Sequence, residues 1–260
     1  MTDVLDFETR SYSYTADGGT ASRAALGLIS LTSDQVVEDE MHRVCDRPGV
    51  ATYTSRIENA PTITPETLAD MAGRITASTR LLMPGGRLDV VAYGCTSAAV
   101  AIGEDEIFRL IRAAKPDIAA TTPITGAKAA FRAFGAKRIA VLTPYRADVN
   151  ALIANHLIDH GFEIAVFGSF LEENDNMVAK IDGASIRDAV LDMIQGADAD
   201  AVFVSCTNIR LADQVAELEE RTGLPVTSSN HAMIWHGLRL AGVDDSDPRW
   251  GKLFTLPLPA

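Results

Sequence analysis

Residues 201–208 read AVFVSCTN and residues 90–97 read VVAYGCTS, so two apolar runs each end at a cysteine that is followed by threonine. Apolar runs of this length, closed by small polar residues, are typical of buried strands in a parallel sheet. We expect a helix to begin within one or two residues of each cysteine. Both thiols would then lie at the carboxyl end of a strand and the amino end of a helix, where open α/β sheets bind their ligands.

The rest of the chain alternates between strand-like apolar runs and amphipathic helical patterns, which predicts parallel βαβ units with helices on both faces of the sheet. The pattern becomes regular at residue 24, so residues 1–23 are predicted to form an N-terminal extension. Helices are predicted over residues 33–44 and, as one long helix, over residues 65–82. Thr64 is the expected N-cap of the long helix, with Pro65 as its first residue.

The two cysteine motifs are in phase with an internal repeat. Cys95 and Cys206 are 111 positions apart, as are Thr32 and Thr143, which end the first strand of each half. We therefore expect an α/β fold of two similar lobes, each with a parallel, flavodoxin-like sheet, related by a pseudo-two-fold axis and separated by the active-site cleft. Because the helix after each half can cross to the other lobe, residues 24–122 plus 228–260 are predicted as the first lobe and residues 123–227 as the second.

Composition narrows the classes of partner. A chain of 260 residues can bury a full core, and a formal net charge of −12 argues against nucleic acid or an anionic membrane as partners. No apolar run reaches the ~18–20 residues of a membrane span, and the acidic N-terminus does not resemble a signal peptide. We therefore expect a cytoplasmic protein whose three cysteines stay thiols, with Cys45 a buried apolar residue. No zinc-like histidine spacing or phosphate-binding glycine motif is present, so no metal or organic cofactor is predicted.

Two thiols that face one cleft can act as a base and an acid on opposite sides of a small molecule. A helix amino terminus is expected to lower the pKa of each thiol. Each sulfur must come within ~3–3.5 Å of the same carbon, which predicts sulfurs about 7 Å apart, too far for a disulfide. Hydrogen-bond donors for a substrate carboxylate are expected from the residues beside the cysteines: Thr96, Ser97, Thr207 and Asn208.

The motifs YGCTSA at residues 93–98, SCT at 205–207, LTPY at 142–145 and SNHAMIWH at 229–236 resemble the aspartate/glutamate racemase superfamily. The resemblance is to its branch of maleate cis–trans isomerase, arylmalonate decarboxylase and ectoine-utilisation protein A, and is greatest to the last. It implies a cofactor-free racemase, isomerase or decarboxylase that acts on a small carboxylate as a homodimer or homotetramer.

The resemblance also suggests roles for three residues. Tyr145 resembles the isomerase tyrosine that contacts a substrate carboxylate, and Asn174 resembles the partner asparagine of the second lobe. Asp34 lies where the isomerases carry asparagine, and an extra carboxylate there favours a substrate with an amine or a ring nitrogen. The plain alternatives are a loop aromatic for Tyr145, a solvated turn for Asn174 and an ordinary helix-start residue for Asp34.

The leading hypothesis is a cofactor-independent racemase or isomerase in which Cys95 and Cys206 form the acid/base pair, in ectoine or hydroxyectoine breakdown. One alternative is a maleate isomerase in which Cys95 adds to the double bond as a nucleophile. The presence of both cysteines disfavours an arylmalonate decarboxylase, which the resemblance associates with a single catalytic thiol. An alternative from a different class is a non-catalytic carboxylate-binding protein on the same fold.

Overall fold

The computed structural model describes residues 9–60, 62 and 64–259, and it contains two parallel four-stranded sheets. The first sheet has the order β2-β1-β3-β4 and the second β6-β5-β7-β8, so the order within each half is the same. The strands are β1 (Ala24–Leu31), β2 (Val50–Ile57), β3 (Val90–Tyr93), β4 (Ala119–Thr121), β5 (Arg138–Thr143), β6 (Glu163–Ser169), β7 (Ala201–Val204) and β8 (Val226–Ser228). We call the parts built on these sheets the first and second lobes. The predicted fold class is confirmed.

The helices follow the strands in the alternation expected of parallel βαβ units. They are α1 (Val37–Val44), α2 (Pro65–Ala69), α3 (Ala72–Leu81), α4 (Thr96–Ile102), α5 (Glu104–Arg112), α6 (Pro123–Phe134), α7 (Ala147–Asp159), α8 (Asp175–Val178), α9 (Gly183–Met193), α10 (Val215–Thr222) and α11 (Ser229–Leu240). Short 3₁₀ helices cover Ala212–Gln214, Pro248–Trp250 and Lys252–Thr255. Strands β1, β3 and β7 are buried along their whole length, which explains their continuous apolar sequences. None of the helices in the described ranges is long and apolar enough to cross a membrane.

Two helix predictions differ from the structure. The helix predicted over residues 33–44 begins only at Val37, because the Asp34 carboxylate accepts hydrogen bonds from the N–H groups of Val36 and Val37 and holds a turn before it. The long helix predicted over residues 65–82 is divided into α2 and α3. Thr64 does cap α2, as predicted, but no glycine or proline marks the break at Asp70 and Met71, and periodicity alone could not locate it.

The lobes exchange helices. Helix α6 follows β4 of the first sheet yet packs against β7 and β8, whereas α11 follows β8 and packs against β1, β3 and β4. The two helices also pack on each other, and a Cβ atom at Gly126 of α6 would lie 2.6 Å from the carbonyl oxygen of Ala232 on α11. The predicted lobe boundaries near residues 122 and 228 assume that the helix after each half crosses to the other lobe, and this packing is such a crossing. The boundaries themselves stay a prediction.

Polar contacts tie α1 of the first lobe to the second half of the chain. The buried Glu40 carboxylate accepts hydrogen bonds from the backbone N–H groups of Leu211 at 2.8 Å and Ala212 at 2.9 Å, and from the Asn230 side chain at 2.9 Å. Burial raises the pKa of Glu40 to about 7 despite these donors.

The predicted N-terminal extension is described only from residue 9, so residues 1–8 lie outside the described ranges. Residues 9–19 form no helix or strand and are exposed, including Tyr12 and Tyr14. The regular fold begins at Ala24, as predicted from the sequence pattern.

Candidate active site

Cys95 lies at the junction of β3 and α4. Gly94 permits the close approach of this junction to β1, because a Cβ atom there would lie 3.0 Å from Leu28 Cδ1 and 3.2 Å from the Ile29 carbonyl oxygen. Cys95 is the N-cap residue of α4, and its sulfur lies 3.8 Å from Ser97 Oγ. The prediction that a helix begins directly after this cysteine is confirmed.

Cys206 follows β7 in the corresponding place, but the prediction of a helix directly after it is wrong. Thr207 and Asn208 lie in a turn, and α10 begins only at Val215. The Asn208 side chain explains the turn, since its oxygen accepts a hydrogen bond from Gln35 N–H at 2.9 Å and its nitrogen donates to the Asp175 carbonyl at 2.8 Å. Asn208 N–H lies 3.4 Å from the Cys206 sulfur and donates to it.

Both thiols line one cavity at the carboxyl edges of the two sheets. The cavity holds about 420 Å³ of space free of protein atoms, including the open solvent at its mouth. Its described lining residues are Leu31, Asn59, Ala60, Thr62, Thr67, Leu68, Met71, Cys95, Ser97, Tyr145, Asp175, Cys206 and Thr207. The structure therefore brings together residues from both lobes around the two sulfurs. The predicted sulfur separation of about 7 Å stays a prediction.

Of the predicted substrate-binding residues, Ser97, Tyr145 and Thr207 line this cavity. Tyr145 is buried, and its hydroxyl lies close to the Cys206 thiol and the Ser97 hydroxyl. Burial raises the pKa of Tyr145 well above its usual range, so the phenol stays a hydrogen-bond donor. Its backbone is fixed as well, because its carbonyl accepts hydrogen bonds from Asn150 Nδ2 at 2.9 Å and Ser169 Oγ at 2.5 Å.

The other four predicted residues do not line the cavity. Thr96 donates a hydrogen bond to Ser229 Oγ at 2.7 Å and so joins α4 to α11. Asn208 uses its side chain to link Gln35 and Asp175. Asn174 is exposed and caps α8 by accepting a hydrogen bond from Asn176 N–H at 3.0 Å. Asp34 is buried, and while its Oδ1 accepts two backbone N–H groups, its Oδ2 has no hydrogen-bond partner among the described residues.

Sequence reasoning missed Asp175, which lines the cavity one position after Asn174. Its Oδ2 accepts a hydrogen bond from Ser33 Oγ, and Ser33 in turn accepts one from Asn59 Nδ2 at 2.8 Å. The signal was the polar run at residues 172–176 after β6, because the carboxyl end of a parallel strand is where ligand-binding side chains collect. The family resemblance drew attention to the neighbouring asparagine instead.

Both thiols have higher pKa values than the sequence predicted. Burial raises the pKa of Cys95 to about 12, and it raises the pKa of Cys206 well above its usual range. The negative charge of Asp175 adds to the effect on both, whereas the hydrogen bonds from Ala98 N–H to Cys95 and from Asn208 N–H to Cys206 oppose it. The expectation that a helix terminus lowers these pKa values is wrong, because desolvation outweighs the N–H groups.

A group with metal-ligand chemistry lies outside this cavity. Ligand atoms of Glu104, His156 and His160 come within 4.8 Å of one another. Lys128 already supplies a positive charge there, since its ammonium donates to Glu104 and lies 3.2 Å from His156 Nε2. We therefore interpret the group as a partly buried ion pair between helices α5, α6 and α7.

Comparison with known proteins finds relatives of this chain among characterised enzymes. The chain is 32% identical to an arylmalonate decarboxylase of Bordetella bronchiseptica over 136 residues, which cover 52% of this chain and 57% of that protein. It is 28% identical to a maleate isomerase of Pseudomonas putida over 244 residues, which cover 88% of this chain and 96% of the isomerase.

Solved structures show the same fold. A mutant of the maleate cis–trans isomerase of Nocardia farcinica with a covalently bound succinylcysteine intermediate superposes with a TM-score of 0.81 at 21% identity, over 89% of this chain and 98% of that one. The family model described as arylmalonate decarboxylase matches residues 53–254, which include both cysteine motifs. The chain therefore belongs to the arylmalonate decarboxylase family, a family of enzymes whose relatives found here also include maleate isomerases.

Proposed function

We propose that this chain is a cofactor-independent racemase or isomerase of a small carboxylate, with Cys95 and Cys206 as its acid/base pair. The observation that carries the proposal is that two thiols from two different lobes line one cavity. Each thiol follows a fully buried central strand, so the scaffold that holds the two sulfurs is rigid.

In the proposed reaction one cysteine acts as thiolate and removes the proton from the carbon next to the substrate carboxylate. The other cysteine, as thiol, returns a proton to the opposite face of that carbon. Charge that develops on the carboxylate would be stabilised by the hydroxyl groups of Ser97, Tyr145 and Thr207, which line the same cavity. Because burial keeps both thiols protonated, one of them must lose its proton to solvent when the substrate binds.

Cis–trans isomerisation of maleate is the second candidate, favoured by the 28% identity to a maleate isomerase over 88% of this chain. In this case the Cys95 thiolate adds to the double bond, rotation follows about the resulting single bond, and elimination of the thiolate restores the alkene. Cys206 would donate a proton to the adjacent carbon when the adduct forms and remove it again on elimination. The succinylcysteine in the Nocardia farcinica enzyme is an adduct of this kind, formed in that protein.

The likeness of the cysteine motifs to ectoine-utilisation protein A makes intermediates of ectoine and hydroxyectoine breakdown the first compounds to assay. We also retain as proposals that the chain acts in the cytoplasm and assembles as a homodimer or homotetramer.

The test is proton exchange in D₂O, followed by NMR, on maleate and on single enantiomers of small 2-amino and 2-hydroxy acids. Wild-type protein should incorporate deuterium at the carbon next to the carboxylate and convert one isomer into the other. Cys95→Ala and Cys206→Ala should each reduce the rate by about 10³-fold or more. Cys45→Ala is the matched control, because Cys45 is buried away from the cavity at the end of α1.

A fully active Cys95→Ala or Cys206→Ala variant would refute the acid/base pair. If compounds raise the melting temperature of the wild-type protein but undergo neither exchange nor isomerisation, the chain is a binding protein on this fold.

A further inference from the structure

The charge inside the cavity is negative. Asp175 is among its lining residues, and none of the described lining residues is arginine, lysine or histidine. Pro61 and Ile63, which the structure does not describe, carry no charge either. A dicarboxylate in this cavity would therefore place two more negative charges beside an existing one, without a cationic side chain to balance them.

Asp175 is held in a fixed position. The residue is 6% exposed, its Oδ2 accepts a hydrogen bond from the Ser33 hydroxyl, and its backbone carbonyl accepts one from the Asn208 side-chain amide. Among the described residues, no hydrogen bond reaches its other oxygen, Oδ1. One carboxylate oxygen of a residue that lines the cavity thus remains free to accept a hydrogen bond from a ligand.

A second carboxyl group, Asp34, lies close enough to influence both sulfurs. It is buried, and its Oδ2 has no hydrogen-bond partner among the described residues. Burial raises the pKa of Asp34, as does the charge of Asp175. The charges of Asp34 and Asp175 in turn raise the pKa values of Cys95 and Cys206. None of the described lining residues carries a positive charge that would compensate these groups.

We propose that Asp175 binds a protonated nitrogen of the substrate, so that the cavity accepts a small carboxylate bearing an amine or a ring nitrogen in preference to a dicarboxylate. The inference rests on the proposed function, because it takes this cavity as the substrate site. It adds a specificity-determining residue that the family resemblance did not identify.

A cationic nitrogen at Asp175 would also promote the proposed chemistry. A positive charge near both sulfurs favours the thiolate, so substrate binding would partly reverse the raised thiol pKa values. A carboxylate of the same shape that lacks the nitrogen would bind without this effect. The substrate itself would then supply the charge that the lining residues lack.

The test compares ligands that differ only in the nitrogen. Proline and cyclopentanecarboxylate form one matched pair, and 2-aminobutyrate and butyrate form another, with maleate and succinate as dicarboxylates. Binding is measured by calorimetry, and α-proton exchange of the two amino acids by NMR in D₂O. We expect wild-type protein to bind the nitrogen compound of at least one pair about 10-fold or more tighter than its analogue, as for a hydrogen bond between charged groups.

Asp175→Asn should abolish that preference and strengthen maleate binding, because asparagine keeps the shape and removes the charge. Asp159→Asn is the matched control, since Asp159 is exposed at the end of α7 and the same charge is removed there. If Asp175→Asn unfolds, the ligand comparison on wild-type protein still tests whether the cavity prefers the nitrogen compounds. Equal binding within each pair, or tighter binding of maleate than of the amino acids, would overturn the inference.

The two proposals fail in different ways. Nitrogen-dependent binding that requires Asp175 but gives no exchange would support the inference for binding and contradict the proposed catalysis. Cysteine-dependent turnover of maleate or succinate with no preference for nitrogen would support the proposed catalysis and contradict the inference.

Discussion

The Glu40 carboxylate of α1 accepts a hydrogen bond from the Asn230 side chain of α11 at 2.9 Å, although 190 residues separate the two. Asn230 also donates to the carbonyl oxygen of Thr207, next to Cys206. A buried carboxyl group of the first lobe therefore supports the backbone that carries the second thiol. Because the pKa of Glu40 is raised to about 7, this contact titrates near neutral pH.

Glu40 should make the stability of the protein fall as the pH rises from about 4.5 to about 7. In this range the unfolded chain releases the Glu40 proton while the folded protein retains it, so folding is favoured at the acidic end. Glu40→Gln cannot titrate, and the free-energy difference between variant and wild type should shift in favour of the variant by up to about 3 kcal/mol between pH 5 and pH 8. Urea unfolding of both proteins at pH 5 and pH 8 measures this difference in unfolding free energy.

Glu220→Gln is the control for this experiment, because Glu220 is exposed on α10. A pH-independent difference between Glu40→Gln and wild type would contradict the raised pKa.

The cavity thiols should resist alkylation at neutral pH. With the pKa of Cys95 near 12 and that of Cys206 also raised well above its usual range, iodoacetamide should react slowly at pH 7, and its rate should rise about tenfold per pH unit up to pH 10. Mass spectrometry of the labelled peptides resolves the individual cysteines. N-acetylcysteine is the reference, and a plateau below pH 8 for either protein thiol would show a thiolate that burial does not suppress.

Removal of the Tyr145 hydroxyl should impair catalysis more than stability. Tyr145→Phe keeps the buried ring but removes the donor near Cys206 and Ser97, so we expect kcat/KM to fall about 10- to 100-fold. Tyr53→Phe, on β2 outside the cavity lining, should leave kcat/KM unchanged. An unchanged rate in Tyr145→Phe would exclude the hydroxyl from the reaction.

The crossing of α6 and α11 should tolerate no side chain at Gly126. Gly126→Ala places a Cβ atom 2.6 Å from the Ala232 carbonyl oxygen, and we expect a loss of about 1–3 kcal/mol in unfolding free energy. Gly73→Ala is the matched control, because Gly73 is also helical and its Cβ would meet open space. That variant should be neutral or up to about 1 kcal/mol more stable. Equal stability of the two variants would mean that the helices can separate at little cost.

The predictable part of this molecule is the part set by local pattern. Strands β3 and β7 lie within the two apolar runs predicted as buried strands, because burial on both faces of a parallel sheet imposes a continuous apolar run. The place of Cys95 and Cys206 at the carboxyl ends of these strands follows directly, as does the presence of Ser97 and Thr207 in the cavity.

The parts that were missed depend on contacts between distant residues. The turn after Cys206 exists because Asn208 bonds Gln35 and Asp175, which no local pattern reveals. The protonation of the thiols depends on their burial, which the helix-terminus argument did not include. In the short polar loop before α8, Asn174 is an exposed cap whereas the next residue, Asp175, lines the cavity, and the sequence pattern did not distinguish these two positions.

The exchange of α6 and α11 between the lobes has a consequence for how the polypeptide can be divided. A cut after residue 122 leaves the fragment 1–122 without α11, the helix that packs on its sheet. The fragment 123–260 keeps α11 but lacks the sheet on which that helix packs. The fragments 1–122 and 123–260 should therefore be a reconstituting pair that regains structure only on mixing, rather than two autonomous miniature proteins.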